Sequence, residues 1–424
     1  MSGAVSIFYW QPAAVWIISL LSIALVLIRP RNWPEAWWSS AGAALLVISG
    51  LMPLSAAERA VGKGTDVYLF LTGMMVISEL ARREGVFEWI AAKAVQVSKG
   101  SRSRLFFLVY CVGVVVTIFL SNDATAVVLT PAVQAAIKAA KVEPLPYLLT
   151  CAFIANAASF VLPISNPANL VVFGRTMPPL GRWLLTFTLP SLFSIAATFM
   201  VFRWAAKGFM RGNVETDANV QRLSQNGKLA LYGIGLLAAT LMTASALNRD
   251  LGAPACLAGL VVAAAVSIRD RGVPKDIAKE ISWSVIPLVA GLFVIVEAIN
   301  GAGAQQAAVT ALEHMKDWSA LGAAMTAAFG IGIISNLMNN LPIGLIGGAA
   351  VNAAHTTGTL RSALLIGVDL GPNLSITGSL ATILWLIAIR REGQQVSFWQ
   401  FLRWGALVMP PALALAVLAL MLRG

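Results

Sequence analysis

Histidine and cysteine are almost absent: two and three residues in a chain of 424. His314 and His355 fall outside the centres of the apolar segments, so a histidine-ligated metal centre is not expected. Cys111, Cys151 and Cys256 lie far apart without paired spacing, which leaves neither a disulfide framework nor a metal motif. Charge is scarce as well. Only 12% of residues are charged, against about 25% in a soluble domain, and 58% are hydrophobic. That balance excludes an ordinary soluble fold. Acids number 19 against 30 bases, for a net charge of +11. A nucleic-acid partner does not follow, because the bases sit in short loops between apolar runs, as membrane orientation demands. No nucleophile–base pair or cofactor motif stands within the runs, which argues against an integral-membrane enzyme.

Apolar sequence is what abounds. The runs predict ten full spans, at 12–28, 36–54, 66–81, 144–178, 183–203, 228–247, 253–268, 281–299, 361–390 and 400–421. Two further regions, about 104–140 and 319–355, are too long for one span and have polar midpoints, so they read as re-entrant hairpins. The first run lacks a basic leader and is long enough to span, so no cleavable signal is expected. With both termini outside, 22 of the 30 basic residues fall on inner loops, which fits the positive-inside rule. The polar stretch 206–227 reads as a cytoplasmic linker between halves 1–205 and 228–424. Arg83 to Lys99 reads as an amphipathic helix on the inner surface. Trp10, Trp37, Trp38, Trp183, Trp399 and Trp404 lie near span ends and read as interfacial anchors.

One pattern occurs twice. Gly73-Met74-Met75-Val76-Ile77-Ser78-Glu79 matches Gly291-Leu292-Phe293-Val294-Ile295-Val296-Glu297. A Ser-Asn hairpin midpoint follows (Ser121-Asn122 and Ser335-Asn336), then an Asn-Leu break (Asn169-Leu170 and Asn373-Leu374). The charge-derived topology runs the two copies in opposite directions. Inverted repeats of this kind meet at the membrane midplane, and paired breaks in corresponding places point to a transporter's binding site.

The breaks carry Ser121, Asn122, Thr125, Ser165, Asn166, Asn169, Ser335, Asn336, Asn339, Asn340, Asn373, Ser375 and Thr377. Amides and hydroxyls donate and accept without net charge, and so suit a neutral polyhydroxyl solute or a partly dehydrated cation. Helix capping is the plainer role for any one of them. Asp123 is the acid at a hairpin midpoint, and Asp369 lies just before the second break. Burial favours the neutral form of an acid, so both are candidate proton-coupling groups. Each also has a plainer reading: Asp123 as an anionic helix cap, Asp369 as the partner of a backbone donor. Glu79 and Glu297 read as braces for the hairpins. The three cysteines read as small hydrophobes rather than a thiolate cage for a soft ion.

These motifs together resemble the bacterial arsenite/antimonite efflux permeases of the ArsB type. They are Ser121-Asn122-Asp123-Ala124-Thr125 with Leu129-Thr130-Pro131, Ser165-Asn166-Pro167-Ala168-Asn169-Leu170, Ser335-Asn336-Leu337-Met338-Asn339-Asn340-Leu341-Pro342 and Asp369-Leu370-Gly371-Pro372-Asn373. The resemblance covers nearly the whole chain. It places the chain in the ion transporter superfamily, beside sodium-coupled dicarboxylate and citrate carriers. It implies an all-α polytopic fold of two inverted repeats, each with a re-entrant hairpin and a broken helix. It further implies export of arsenite and antimonite in exchange for protons, from the bacterial cytoplasmic membrane, with a soluble ATPase as a partner of some members. The dicarboxylate carriers place Ser-Asn-Thr at both hairpin tips, whereas here the midpoints read Ser-Asn-Asp and Ser-Asn-Leu. That departure weighs against a sodium–dicarboxylate site and fits a neutral substrate. A carrier of citrate, dicarboxylate or a cation is the alternative. A passive channel is a further class, which unsaturable flux without proton coupling would reveal.

Overall fold

A computed structural model describes residues 3–215, 222–356 and 358–422. Among the described residues the chain is helical, with one isolated backbone bridge between Ser101 and Asn213. The first half comprises α1 (Gly3–Ile28), α2 (Glu35–Ile48), α3 (Leu54–Lys63), α4 (Thr65–Arg83), α5 (Val86–Val97), α6 (Arg102–Phe119), α7 (Asn122–Ala124), α8 (Thr130–Ala139), α9 (Leu145–Ala157), α10 (Pro167–Phe173) and α11 (Leu180–Ala205). A π turn over Thr125–Leu129 makes α7 and α8 one continuous arm. The second comprises α12 (Gln225–Ala246), α13 (Gly252–Ser267), α14 (Val273–Glu280), α15 (Val285–Gly301), α16 (Ala304–His314), α17 (Ala320–Met338), α18 (Asn340–Ala353), α19 (Gly358–Leu370), α20 (Leu380–Arg391) and α21 (Phe398–Met421). Part of the stretch between the halves, residues 216–221, lies outside the described residues.

The same order of helices runs twice, and the local signals recur with it. Gly85 (φ 73°) turns α4 into α5, as Gly303 (φ 104°) turns α15 into α16. Only glycine enters that left-handed region without penalty. Ser101 caps α6 by accepting from Arg104 N, and Ser319 caps α17 by accepting from Gly322 N. The equivalent helices α4 and α15 run antiparallel. Lys63, the last residue of α3 and just before α4, sits 2.9 Å from Glu297 near the end of α15, while Arg82, near the end of α4, sits 3.5 Å from Glu280, the last residue of α14 and just before α15. The halves are therefore inverted with respect to each other.

Among the described residues, five helices are long and apolar enough to cross a membrane unbroken, or seven if two bent pairs each count as one span. The ten expected spans are not all single rods, for a visible reason. The segments 144–178 and 361–390 are interrupted at their polar breaks, and α2 and α13 are only 14 and 16 residues long. Large apolar side chains such as Ile17, Leu21, Leu185, Leu192, Leu236 and Leu260 face outward from the bundle, as a lipid-facing surface requires. Helix α5 occupies the expected amphipathic segment, with its apolar side (Phe87, Ala91, Val95) buried against α8 and its neighbours.

Packing divides the molecule into two bodies, each drawn from both halves. Helices α1–α4 interlock with α12–α15, and α5–α11 with α16–α21. The first body depends on glycine. A Cβ on Gly73 of α4 would lie 2.3 Å from the Ala255 carbonyl of α13, and one on Gly291 of α15 would lie 2.7 Å from the Ser39 carbonyl carbon of α2. The repeated Gly in Gly-x-x-Val-Ile-x-Glu is thus a site of close backbone approach in both halves. Gly73→Ala should force α4 and α13 apart and destabilise the protein by about 1–3 kcal/mol. An unchanged melting temperature for the purified variant would contradict that packing.

Candidate functional site

The first residues of four helices line one small cavity. They are Asn122 and Asp123 of α7, Asn166 (the cap) and Pro167 of α10, Asn340 and Leu341 of α18, and Leu380 and Ala381 of α20. Ser121, Asn166, Asn339 and Ser379 cap these helices with side-chain oxygens. Helix N-termini carry partial positive charge, so their convergence gives the cavity a positive field without a basic side chain. All these groups belong to the second body. The first contributes only Leu71, Val285 and Val289, an apolar wall.

The cavity holds about 10 Å³ and is flanked by larger spaces. Asp123 also lines a cavity of about 100 Å³ with Ser121, Glu79, Glu280 and Ser282. On the opposite face, between the two bodies, opens a vestibule of about 1010 Å³ lined by Lys63, Asp66, Arg249, Glu297, Asn300 and Asn352 among others. The repeated glutamates thus mark opposite faces. Glu79 pairs with Arg82 and Glu297 with Lys63.

The second hairpin tip differs from the sequence reading. Ser335-Asn336 is not the tip but lies inside α17. The chain reverses at Asn339 (φ 72°), whose side chain accepts from Leu341 N. Ser121 and Asn339 are therefore the equivalent tips, and Asn122 and Asn340 the equivalent cavity residues, at the same separation that relates Gly73 to Gly291. The likeness of the two Ser-Asn pairs concealed a register four residues away.

Asn336 has a different task. Its Nδ2 donates to Gly332 O (2.7 Å) and Gly371 O (2.9 Å), and its Oδ1 accepts from Ser375 N (3.0 Å) and Ser375 Oγ (2.7 Å). Thr377 Oγ1 donates to Asn336 O. The amide's two donors and two acceptor positions are all used within the protein in this conformation. Asn336→Ala should therefore lower stability by about 2 kcal/mol or more, because it strands buried partners. A melting temperature equal to wild type would show that the α17 brace is dispensable.

Most of the other candidates also hold the breaks. Thr125 Oγ1 bonds Thr117 Oγ1 at 2.8 Å. Ser165 Oγ donates to Ile118 O, and Asn169 Nδ2 reaches the carbonyls of Ser159, Leu162 and Pro163. Ser335 Oγ donates to Gly332 O, and Asn373 Nδ2 to Phe153 O. Asp369 lies wholly buried behind the cavity and accepts from Asn166 Nδ2 at 2.8 Å. The sequence reading missed Asn156, whose Nδ2 donates to Asn373 Oδ1 at 3.0 Å and so joins the two broken helices. A lone amide in the apolar run of α9 was the signal for it. Trp183 is not an interfacial anchor. It is fully buried and donates to Phe160 O at the first break, while Trp385 donates to Leu148 O. The side chain of Trp10 lies outside the described residues. Among the described residues, no three His, Cys, Asp or Glu side chains gather as metal ligands would.

A multi-pass helical membrane protein of this design is a transporter rather than an enzyme. The chain belongs to the CitMHS family, described as citrate transporters, whose pattern matches residues 13–368. It is similar along nearly its whole length to arsenical pump membrane proteins. One from Escherichia coli is 25% identical over 425 residues, covering 96% of this chain and 97% of that protein. One from Yersinia enterocolitica is 26% identical over 425 residues with the same coverage. These relatives support the ArsB-type kinship and a place in the bacterial inner membrane. The fold is shared with the YdaH transporter of Alcanivorax borkumensis (TM-score 0.55, 14% identity, 97% of each chain). It is also shared with the Neisseria gonorrhoeae antimetabolite efflux pump MtrF (TM-score 0.53, 14% identity, 96% of this chain and 94% of that one).

Proposed function

We propose that the protein exports trivalent arsenic and antimony hydroxides in exchange for protons. The observation behind this reading is the cavity where four helices begin. Its polar side chains are three amides and one acid, and its lining has no lysine, arginine or histidine. Arsenous acid is a neutral trihydroxide at physiological pH. Its oxygens can accept from the helix N–H groups and from Asn122, Asn166 and Asn340. Its hydroxyls can donate to Asp123. A neutral solute gains nothing from the membrane potential, so outward pumping needs a coupled ion, and Asp123 and Asp369 are the acids placed to carry a proton. Full-length similarity to arsenical pump proteins supports the same substrate.

Alternating access follows from the division of labour between the bodies. Every polar group of the site rides on the second body, and the first presents an apolar wall, so displacement of one body along the other carries the whole site between the two faces. In the orientation that the positive-inside distribution supports, the vestibule faces outward.

One observation favours a second reading. Four helix N-termini would also stabilise a carboxylate-rich anion such as citrate. Uptake of arsenite, antimonite and citrate into inverted vesicles, with and without an acidic lumen, separates the two. Saturable arsenite uptake that depends on the acid lumen supports the first reading; acid-dependent citrate uptake alone overturns it. None of the three cysteines lines any of these cavities. The Cys111→Ser, Cys151→Ser, Cys256→Ser triple variant should therefore keep most of its arsenite flux, and complete loss would restore a thiolate site.

A further inference from the structure

Behind the cavity the broken helices meet in a polar cluster that repeats across the two halves. Asn156 and Asp369 occupy the same place, each the last residue but one of the helix before its break. Asn166 and Ser379 also correspond, each capping the helix after the break. The hydrogen bonds follow this symmetry. Asn166 Nδ2 donates to Asp369 Oδ1 at 2.8 Å, and Ser379 Oγ donates to Asn156 Oδ1 at 3.4 Å. Each half sets its cap against the other half's penultimate side chain. The chemistry breaks the symmetry: one position is an amide and the other a carboxyl.

Asp369 is fully buried with the Ser159 hydroxyl beside its carboxyl; that hydroxyl donates to Asn156 O, and among the described residues no donor satisfies Oδ2. The elements packed against α19 are α9, α10, α17, α18, α21 and the break itself. Their titratable groups are Tyr147 and Cys151 on α9 and Arg403 on α21. None of them has a hydrogen bond or ion pair with Asp369 among the described residues, and Tyr147 donates to Arg102 O instead. A carboxylate held by one amide donor, at membrane depth and without a cation, is strongly disfavoured, whereas a proton on Oδ2 meets the acceptor oxygen of Ser159. That proton also removes the charge. Asn166 looks both ways, because it lines the cavity with Asp123 while its amide holds Asp369.

Building on the proton-exchange reading above, we infer that the coupled proton is stored on Oδ2 of Asp369. Asn166 is the positioning residue that links this store to the substrate, and Asn156 is its uncharged counterpart. One carboxyl across the two equivalent positions gives one stored proton per cycle. Asp123, on the cavity wall, passes the proton between solvent and store. Only O–H bonds form and break, and the proton leaves to water in the cavity.

Infrared spectroscopy of the purified protein in lipid at neutral pH tests the store without reference to substrate. A buried protonated carboxyl gives a carbonyl band distinct from that of a carboxylate. Wild type should show one that Asp369→Asn removes, Asp369→Glu shifts, and Asn156→Asp combined with Asp369→Asn restores. Absence of the band from wild type, or its persistence in Asp369→Asn, overturns the proposal. In proteoliposomes, Asp369→Asn should lose at least tenfold of its pH-gradient-driven arsenite flux while keeping arsenite–arsenite counterflow, and the double variant should regain the driven flux. Undiminished driven flux in Asp369→Asn, or a folded double variant that stays uncoupled, also overturns it. Failure of wild type to move arsenite at all would instead sink the substrate reading, and the infrared comparison would still decide where the proton sits.

Discussion

Asp123→Asn should reduce proton-driven arsenite export to background while leaving the protein folded. The side chain stands at the first turn of α7, where the small cavity joins the larger one beside Glu79, and among the described residues no side-chain hydrogen bond ties its carboxylate to the fold. Asparagine keeps the shape and the capping capacity but cannot bind and release a proton. Substrate counterflow, which needs no net proton movement, should survive. The check is gradient-driven flux and counterflow measured on the same preparation, with the melting temperature as the control for folding. A variant that still exports at the wild-type rate under a pH gradient would remove Asp123 from coupling.

The second large effect is expected at the equivalent asparagines. Asn122→Ala and Asn340→Ala should each weaken arsenite binding by roughly tenfold, as the loss of about 1.4 kcal/mol of hydrogen bonding would. Both line the cavity. The Asn122 Oδ1 accepts from Asp123 N, which leaves its Nδ2 for a ligand. Asn336→Ala should act differently and change stability more than affinity, because that amide is spent on Gly332, Gly371 and Ser375. Equilibrium binding and thermal melting on the three variants separate the roles. Wild-type affinity in both cavity variants would take the asparagines out of the site.

Much of the fold was legible because the membrane constrains it so tightly. Apolar runs of spanning length can only be helices at that depth, and polar interruptions are tolerated only where protein surrounds them. The Gly-x-x-Val-Ile-x-Glu repeat identified the inverted pair because Gly73 and Gly291 meet the same backbone contact in opposite halves. The division into two interlocked bodies was not legible, since it depends on α4 packing against α13 and α15 against α2, far apart in the chain.

The candidate site's residue types were legible in the sequence, their hydrogen-bond assignments less so. Residue type identified amides at the breaks but not their assignments, because an asparagine that caps a helix and one that faces a ligand look alike in sequence. Asn336 and Asn340 show the difficulty. They are four residues apart and near the same hairpin end, yet one is saturated by Gly332, Gly371 and Ser375 while the other borders the cavity. The second tip was misplaced because a repeated Ser-Asn pair outweighed Asn339, a residue type able to take a positive φ. Asn156 went unnoticed because its role appears only when the other half's Asn373 and Ser379 come beside it.

Flux through this one chain is the direct test of proton-coupled export. Purified protein reconstituted alone into liposomes should move arsenite saturably when a pH gradient is imposed, with protons crossing the other way and with no ATPase present. Arsenite movement that ignores the pH gradient, or none at all while citrate is carried, would contradict proton-coupled export through the cavity of Asn122, Asp123, Asn166 and Asn340.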